Sequence, residues 1–147
     1  MTADMPAPRS AGAATGQAPL QVLVVDDSGA IRAFMTARLS ALAVAEGLAL
    51  QVATAPSGEA AVDCCDGQAF DLVFMDVVMP GIGGLEACRR IKARHALPVA
   101  MVSSLRAPED LAAARDAGCD RYLAKPVKDA ELQEVVHLAA QRRQGGR

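Results

Sequence analysis

Val22–Ser28 reads V-L-V-V-D-D-S. Four consecutive apolar residues, three of them β-branched, make a strand buried on both faces, the kind found inside a parallel sheet. The run stops abruptly in two adjacent carboxylates, Asp26 and Asp27. Like charges side by side at the end of a buried strand repel, so the pair calls for a cation or for chemistry that uses it. Two more runs share the pattern: L-V-F-M at Leu72–Met75, followed by Asp76, and V-A-M-V at Val99–Val102, followed by Ser103 and Ser104.

Outward from these runs, a short apolar stretch alternates five times with a longer stretch of helical spacing, which predicts a parallel sheet flanked by helices. Strands are expected at 21–26, 49–54, 71–76, 98–103 and 121–124. The three wholly apolar ones belong in the middle, whereas the mixed L-A-L-Q-V-A-T-A and the short R-Y-L-A suit edges. Ser28 is placed to cap a first helix carrying Ile31, Phe34, Met35, Arg38, Leu39 and Leu42 at three- and four-residue spacing. A second helix is expected near Ser57 and a third near Gly84, with Leu85, Cys88 and Ile91 on one face. Pro108 suits the first turn of a fourth, which Gly118 ends. The fifth is expected from about Lys128 to Gln141, with Leu132, Val135, Val136 and Ala139 inward. Residues 1–18, rich in Ala, Pro, Gly and Thr, read as a disordered leader, and 142–147 as a polar tail whose arginines are solvated, leaving 19–141 as one domain.

Composition narrows the classes of function. The 15 basic residues nearly balance the 17 acidic, and aromatics make up 3%, so no nucleic-acid footprint is expected. The longest apolar runs fall well short of the roughly 20 residues of a membrane span. The first residues, M-T-A-D-M-P-A-P-R-S, lack the layout of a signal peptide, so a cytoplasmic protein with no membrane insertion is expected. Cys64, Cys65, Cys88 and Cys119 form no C-x-x-C pair, and only two histidines accompany them, so they read as reduced, partly buried thiols. The vicinal Cys64-Cys65 pair leaves redox sensing as a lesser reading. His95 and His137 lack a partner motif and read as structural or solvent-facing.

In an open parallel α/β sheet the ligand site lies beyond the carboxyl ends of the strands. Those ends carry Asp26-Asp27, Asp76, Ser103-Ser104 and, just after the fifth strand, Lys125-Pro126. Three crowded carboxylates call for a hard divalent cation with oxygen ligands, which is Mg²⁺ chemistry. An ammonium and a hydroxyl beside it suit an anion with several oxygens, most naturally a phosphoryl group. Asp76 stands alone at a central strand tip, placed as a nucleophile toward phosphorus, whereas Asp26 and Asp27 pair to hold metal. Each residue also has a plainer role: helix N-terminal acids, a cap in Ser103 and Ser104, half-buried filler in Tyr122, a solvated Lys125. Their joint placement at one sheet edge is what the plainer roles leave unexplained.

The motifs V-V-D-D-S, L-V-F-M-D-V-V-M-P-G-I-G-G-L-E, P-V-A-M-V-S-S and Y-L-A-K-P, in this order, resemble the receiver domain of two-component response regulators, over residues 20–141. The resemblance implies a flavodoxin-like (βα)5 fold, a doubly wound five-stranded parallel α/β sheet of order 2-1-3-4-5. It implies Asp76 as phosphoacceptor, taking a phosphoryl group from a histidine kinase or a histidine phosphotransfer protein. It further implies Mg²⁺ held by Asp27 directly, by Asp26 mostly through water, by Asp76, and by the backbone carbonyl of Val78. Lys125 is expected to contact the phosphoryl group, with Pro126 after a cis peptide bond. Ser103 and Tyr122 stand at the switch positions through which phosphorylation reshapes a protein-binding face of the fourth helix, fifth strand and fifth helix. On this reading the chain is a signalling switch of the phosphorelay type, catalysing only its own phosphorylation and dephosphorylation.

Departures from the family pattern accompany the match. Gly83 occupies a loop position where Asp or Asn is usual, so the third helix is expected to lack its cap. Val78 and Leu105 flank the phosphoryl site where many members place polar residues, and Ser104 is small enough to admit a phosphodonor. After Gln141 only six residues remain, so a stand-alone receiver with an unidentified downstream protein target is expected. Two other classes fit the residues less well. A phosphatase of the haloacid-dehalogenase type needs D-x-D after its first strand, which neither Asp26-Asp27 nor Asp76-Val77-Val78 supplies. A degenerate receiver, binding partners without phosphorylation, is opposed by intact Asp76, Asp27 and Lys125. The run G-I-G-G-L lacks the G-x-G-x-x-G spacing of a dinucleotide loop.

Overall fold

The computed structural model describes residues 18–145. Five strands alternate with five helices: β1 Leu20–Val25, α1 Gly29–Glu46, β2 Leu50–Ala55, α2 Gly58–Gly67, β3 Leu72–Asp76, α3 Gly83–Arg94, β4 Val99–Ser103, α4 Pro108–Asp116, β5 Arg121–Ala124 and α5 Asp129–Gly145. The strands form one sheet in the order β2-β1-β3-β4-β5, and every pair is parallel. The mixed and the short strands are therefore the edges, and the three wholly apolar runs lie inside, as expected. Each expected strand boundary holds to within a residue.

Side-chain alternation along the strands builds two cores. Leu23, Val25, Val73, Met75, Val99 and Met101 face a layer that includes Ala61, Val62, Cys65, Ala87, Cys88, Ile91 and Ala114, from α2, α3 and α4. Val22, Val24, Leu72, Phe74, Ala100 and Val102 face Met35 and Leu39 of α1 and Leu132, Val135, Val136 and Ala139 of α5. The division follows from handedness. The chain steps one way from β1 to β2 and the other way from β2 onward, and right-handed crossovers in opposite directions lie on opposite faces.

Local chemistry places the helix ends. Ser28 Oγ accepts the Ile31 N–H at 3.2 Å, and Ser57 Oγ accepts the Ala60 N–H at 3.1 Å. Gly47, at φ 65°, ends α1 in the left-handed conformation. Ahead of α4, Asp110 accepts the Ala107 N–H, and at the start of α5 Glu131 accepts the Lys128 N–H. The N-cap of α3, Ile82, makes no side-chain capping bond, as the glycine at 83 predicts, and the Ala107 N-cap of α4 makes none either.

Two expectations are corrected. The fifth helix does not stop at Gln141 but runs to Gly145, and Arg143 is not solvated. Its guanidinium donates to the Pro19 carbonyl at 2.9 Å, to the Asp71 carboxylate at 3.1 Å and to the Ala18 carbonyl. Its side chain is only 16% exposed. A partly buried carboxylate and the carbonyls leading into β1 draw in the cation, and satisfying them extends the helix. The remainder of the expected tail, 146–147, and residues 1–17 of the expected leader lie outside the described residues. The second correction concerns α1. Met35 and Leu39 are buried, but Ile31 and Phe34 are not, and Phe34 is 61% exposed. The apolar stripe of α1 is wider than the sheet can cover.

Candidate functional site

Register brings the strand ends together. Val25 pairs with Met75, so the next residues, Asp26 and Asp76, are neighbours at the point where the connections from β1 and β3 diverge. Asp76 pairs in turn with Val102, and Ser103 with Ala124, so Lys125 follows one residue beyond that row, its N–H donating to the Ser103 carbonyl at 2.9 Å. Carboxylate oxygens of Asp26, Asp27 and Asp76 lie within 4.8 Å of one another, Asp26 and Asp76 buried and Asp27 exposed. Lys125 Nζ is 3.3 Å from Asp76 Oδ1 and 3.7 Å from Asp26 Oδ2. The Lys125-Pro126 peptide bond is cis.

Burial pushes the Asp76 carboxyl above its ordinary value, with Asp26 adding to the rise and Lys125 and the Val78 N–H opposing it. One ammonium faces three carboxylates here. Three hard oxygen donors so close, with a net negative charge, fit a small divalent cation that keeps part of its water shell. Without one, the same donors repel at short range.

Ser103 is buried, and its Oγ accepts the Leu105 N–H at 3.0 Å. Tyr122, half-buried, donates its hydroxyl to the Leu105 carbonyl at 2.6 Å. Both expected switch residues thus meet on the backbone of one residue. Val78 and Leu105 are exposed at the mouth of the site, and Ser104 is exposed beside them.

Three contributors escape sequence reasoning. Arg32 Nη1 donates to the Asp26 carbonyl at 2.8 Å, tying the first turn of α1 to the end of β1. Arg106 Nη2 donates to the Lys125 carbonyl at 2.9 Å. Gly84 packs against the strand end itself: a Cβ there would lie 2.0 Å from the Asp76 carbonyl oxygen. The Gly83-Gly84 dipeptide is the visible signal for the last, whereas the arginine contacts depend on how the loops fold. Elsewhere, His95 bonds Asp66 at 2.8 Å and His137 bonds Glu46 at 3.0 Å, both distant from this site in the fold. Burial pushes the Cys65 thiol up to about 11 and Cys88 up to about 12, so neither is a poised nucleophile.

The response regulator receiver domain family matches residues 22–137, and the chain belongs to that family. Asp phosphorylation in two-component systems is characteristic of its members. Among relatives, the transcriptional regulatory protein TcrA of Mycobacterium tuberculosis is 37% identical over 143 residues, covering 96% of this chain and 53% of that protein. The transcriptional regulatory protein AfsQ1 of Streptomyces coelicolor is 34% identical over 119 residues, 78% of this chain and 50% of that one. This chain thus spans about half the length of these relatives. Among solved structures, the receiver domain of the sensor histidine kinase PA1611 of Pseudomonas aeruginosa, with magnesium coordinated in its active-site cleft, superposes with a TM-score of 0.74 at 28% identity. The match covers 84% of this chain and 99% of that one. The fold is the flavodoxin-like arrangement of chemotaxis-type receivers. The expectation that excludes a nucleic-acid partner finds no support in relatives that are transcriptional regulators. Among the described residues no helix is long and apolar enough to cross a membrane.

Proposed function

We propose that this protein accepts a phosphoryl group on Asp76 from a histidine kinase or a histidine phosphotransfer protein, in the cytoplasm, and relays the event to a downstream protein. The observation that carries the reading is the grouping of the Asp26, Asp27 and Asp76 oxygens within 4.8 Å, with Lys125 Nζ 3.3 Å from the one carboxylate at a central strand tip. Asp26, Asp27, Asp76 and the Val78 carbonyl would hold Mg²⁺, which when bound offsets the charge of the incoming phosphoryl oxygens.

The chain's own groups do the rest. An Asp76 carboxylate oxygen attacks phosphorus, and the donor departs with the bonding pair. Lys125 meets the negative charge that arrives with the phosphoryl group, and the Ser103 hydroxyl is the short donor for one of its oxygens. The new group adds about −1.5 to −2 charge and three acceptor oxygens. Drawing Ser103 toward them breaks its bond with the Leu105 N–H, and Tyr122, held to the carbonyl of the same residue, shifts in consequence. The surface of α4, β5 and α5 is thereby the output face.

Mass spectrometry of the protein with acetyl phosphate and Mg²⁺, beside an Asp76→Asn variant, tests this. One phosphoryl adduct, dependent on Mg²⁺ and absent from the variant, is expected. Absence of any adduct with acetyl phosphate, and again with a phosphorylated kinase, would leave a phosphorylation-independent binding module.

A further inference from the structure

We propose that the apolar cavity beside Asp76 is a subsite for the leaving group of small phosphodonors, and that it selects acyl phosphates with an apolar tail of several carbons over acetyl phosphate. The inference rests on Asp76 being the phosphoacceptor.

The cavity has a volume of about 340 Å³ and lies between α1 and the β5–α5 loop. Asp26, Asp76 and Lys125 form its polar end, so it is continuous with the phosphoryl site. Away from them it is walled by Val24, Phe74 and Val102 from the sheet and Val127 from the loop, all buried, with Ile31 and Phe34 at the rim. The far side is closed by Arg38, which donates to the Val127 carbonyl at 2.6 Å and to Asp129 at 2.7 Å, and whose guanidinium sits 5.4 Å from the Phe34 ring centroid. All of that charge is already engaged, so the interior beyond Lys125 offers a ligand almost no polar partner. A polar end that suits phosphoryl and an otherwise apolar chamber match a phosphate joined to a short hydrocarbon. The volume lies at the small end of the range for organic ligands and has no room for a helix. A cavity with this occupant also accounts for Ile31 and Phe34 being left uncovered by the sheet.

The reaction balances without a proton. The Asp76 carboxylate oxygen forms the new P–O bond, the bond from phosphorus to the acyl oxygen breaks, and the pair leaves with a free carboxylate, one mixed anhydride replacing another. Acetate and butyrate are leaving groups of nearly equal basicity, so a rate difference between their phosphates reports binding of the tail. Two extra methylenes, fully removed from water, are worth roughly fourfold each.

The test is the second-order rate of Asp76 labelling, in Mg²⁺, by acetyl phosphate and by butyryl phosphate, with each rate repeated in a Phe34→Asp variant. We expect butyryl phosphate to be about tenfold faster in the native chain and the ratio to fall toward one in the variant. Phe34 is mostly exposed, so the variant keeps the fold. Equal rates, or a preference that survives Phe34→Asp, overturn the subsite while leaving the phosphoacceptor reading intact. No labelling by either donor overturns the subsite, and labelling by a phosphorylated kinase then separates that failure from failure of the phosphoacceptor reading.

Discussion

Replacing Gly84 by alanine probes the packing that fixes Asp76, the proposed phosphoacceptor. The added Cβ would stand 2.0 Å from the Asp76 carbonyl oxygen and 2.8 Å from Val77 Cα, where real Cβ contacts essentially never fall below 3.0 Å. The obstruction is backbone on both counts, so no side chain can swing aside. Either the start of α3 or the end of β3 must retreat by about 1 Å, and overpacking of that kind costs roughly 1–3 kcal/mol. Alanine recovers at most about 1 kcal/mol of helix propensity. We expect a net loss of about 1–2 kcal/mol, read as a lower urea midpoint at unchanged m-value. Gly67→Ala is the control. Gly67 lies at the end of α2, and an added methyl there would meet nothing within 4 Å, so the same substitution is expected to be neutral or stabilising by up to about 1 kcal/mol. Since the retreat moves the Asp76 backbone, labelling of the folded Gly84→Ala variant should slow by up to about 10²-fold. A Gly84→Ala protein as stable as native, or within about 0.5 kcal/mol of Gly67→Ala, refutes the reasoning.

Three further outcomes are expected. Arg143→Ala removes the cation shared by Asp71 and two carbonyls and should cost about 2 kcal/mol by denaturant unfolding, whereas Arg142→Ala, 3.9 Å from Asp120 and half exposed, should cost less than about 0.5 kcal/mol. Equal losses would make the Arg143 anchor irrelevant. With Asp76 phosphorylated as proposed, making the exposed apolar mouth polar with Val78→Asn and Leu105→Gln would give an attacking water hydrogen-bonding partners and should shorten the phosphorylated half-life by about tenfold; an unchanged half-life removes that idea. Hydrogen bonds from Arg94 and then His95 hold the Asp66 carboxyl below its ordinary value. A depressed carboxyl contributes stability above its unfolded pKa of about 3.9 and loses it as pH falls through the lower folded value. The small advantage of the native chain over Asp66→Asn should therefore be present at pH 7 and vanish in acid; a difference independent of pH would contradict the assignment.

Much of this protein is legible in the chain. Runs such as V-L-V-V and L-V-F-M are apolar at consecutive positions, a pattern that suits burial on both faces, so the central strands and the parallel sheet follow from local sequence. Because each such run ends in a polar residue, the site follows too: Asp26, Asp76, Ser103 and Lys125 are identifiable without any distance. Helix starts at Ser28, Ser57 and Pro108 are readable since a cap acts within one turn.

What tertiary structure alone decides is whatever depends on contacts far apart in sequence. Arg143 reads as a solvated tail residue until Asp71 and the Pro19 carbonyl, from distant parts of the chain, are brought to it. The 3.6-residue period marks Ile31 and Phe34 as core, but burial is set by the width of the sheet and by Arg38 reaching Asp129, so they line a cavity instead. Ser103 and Tyr122 are separately visible, yet their meeting on Leu105 arises from a loop conformation. Short-range pattern fixes elements and strand-end chemistry because those are governed by neighbours along the chain. Cavities, anchors and couplings come from surfaces that do not exist until the layers pack.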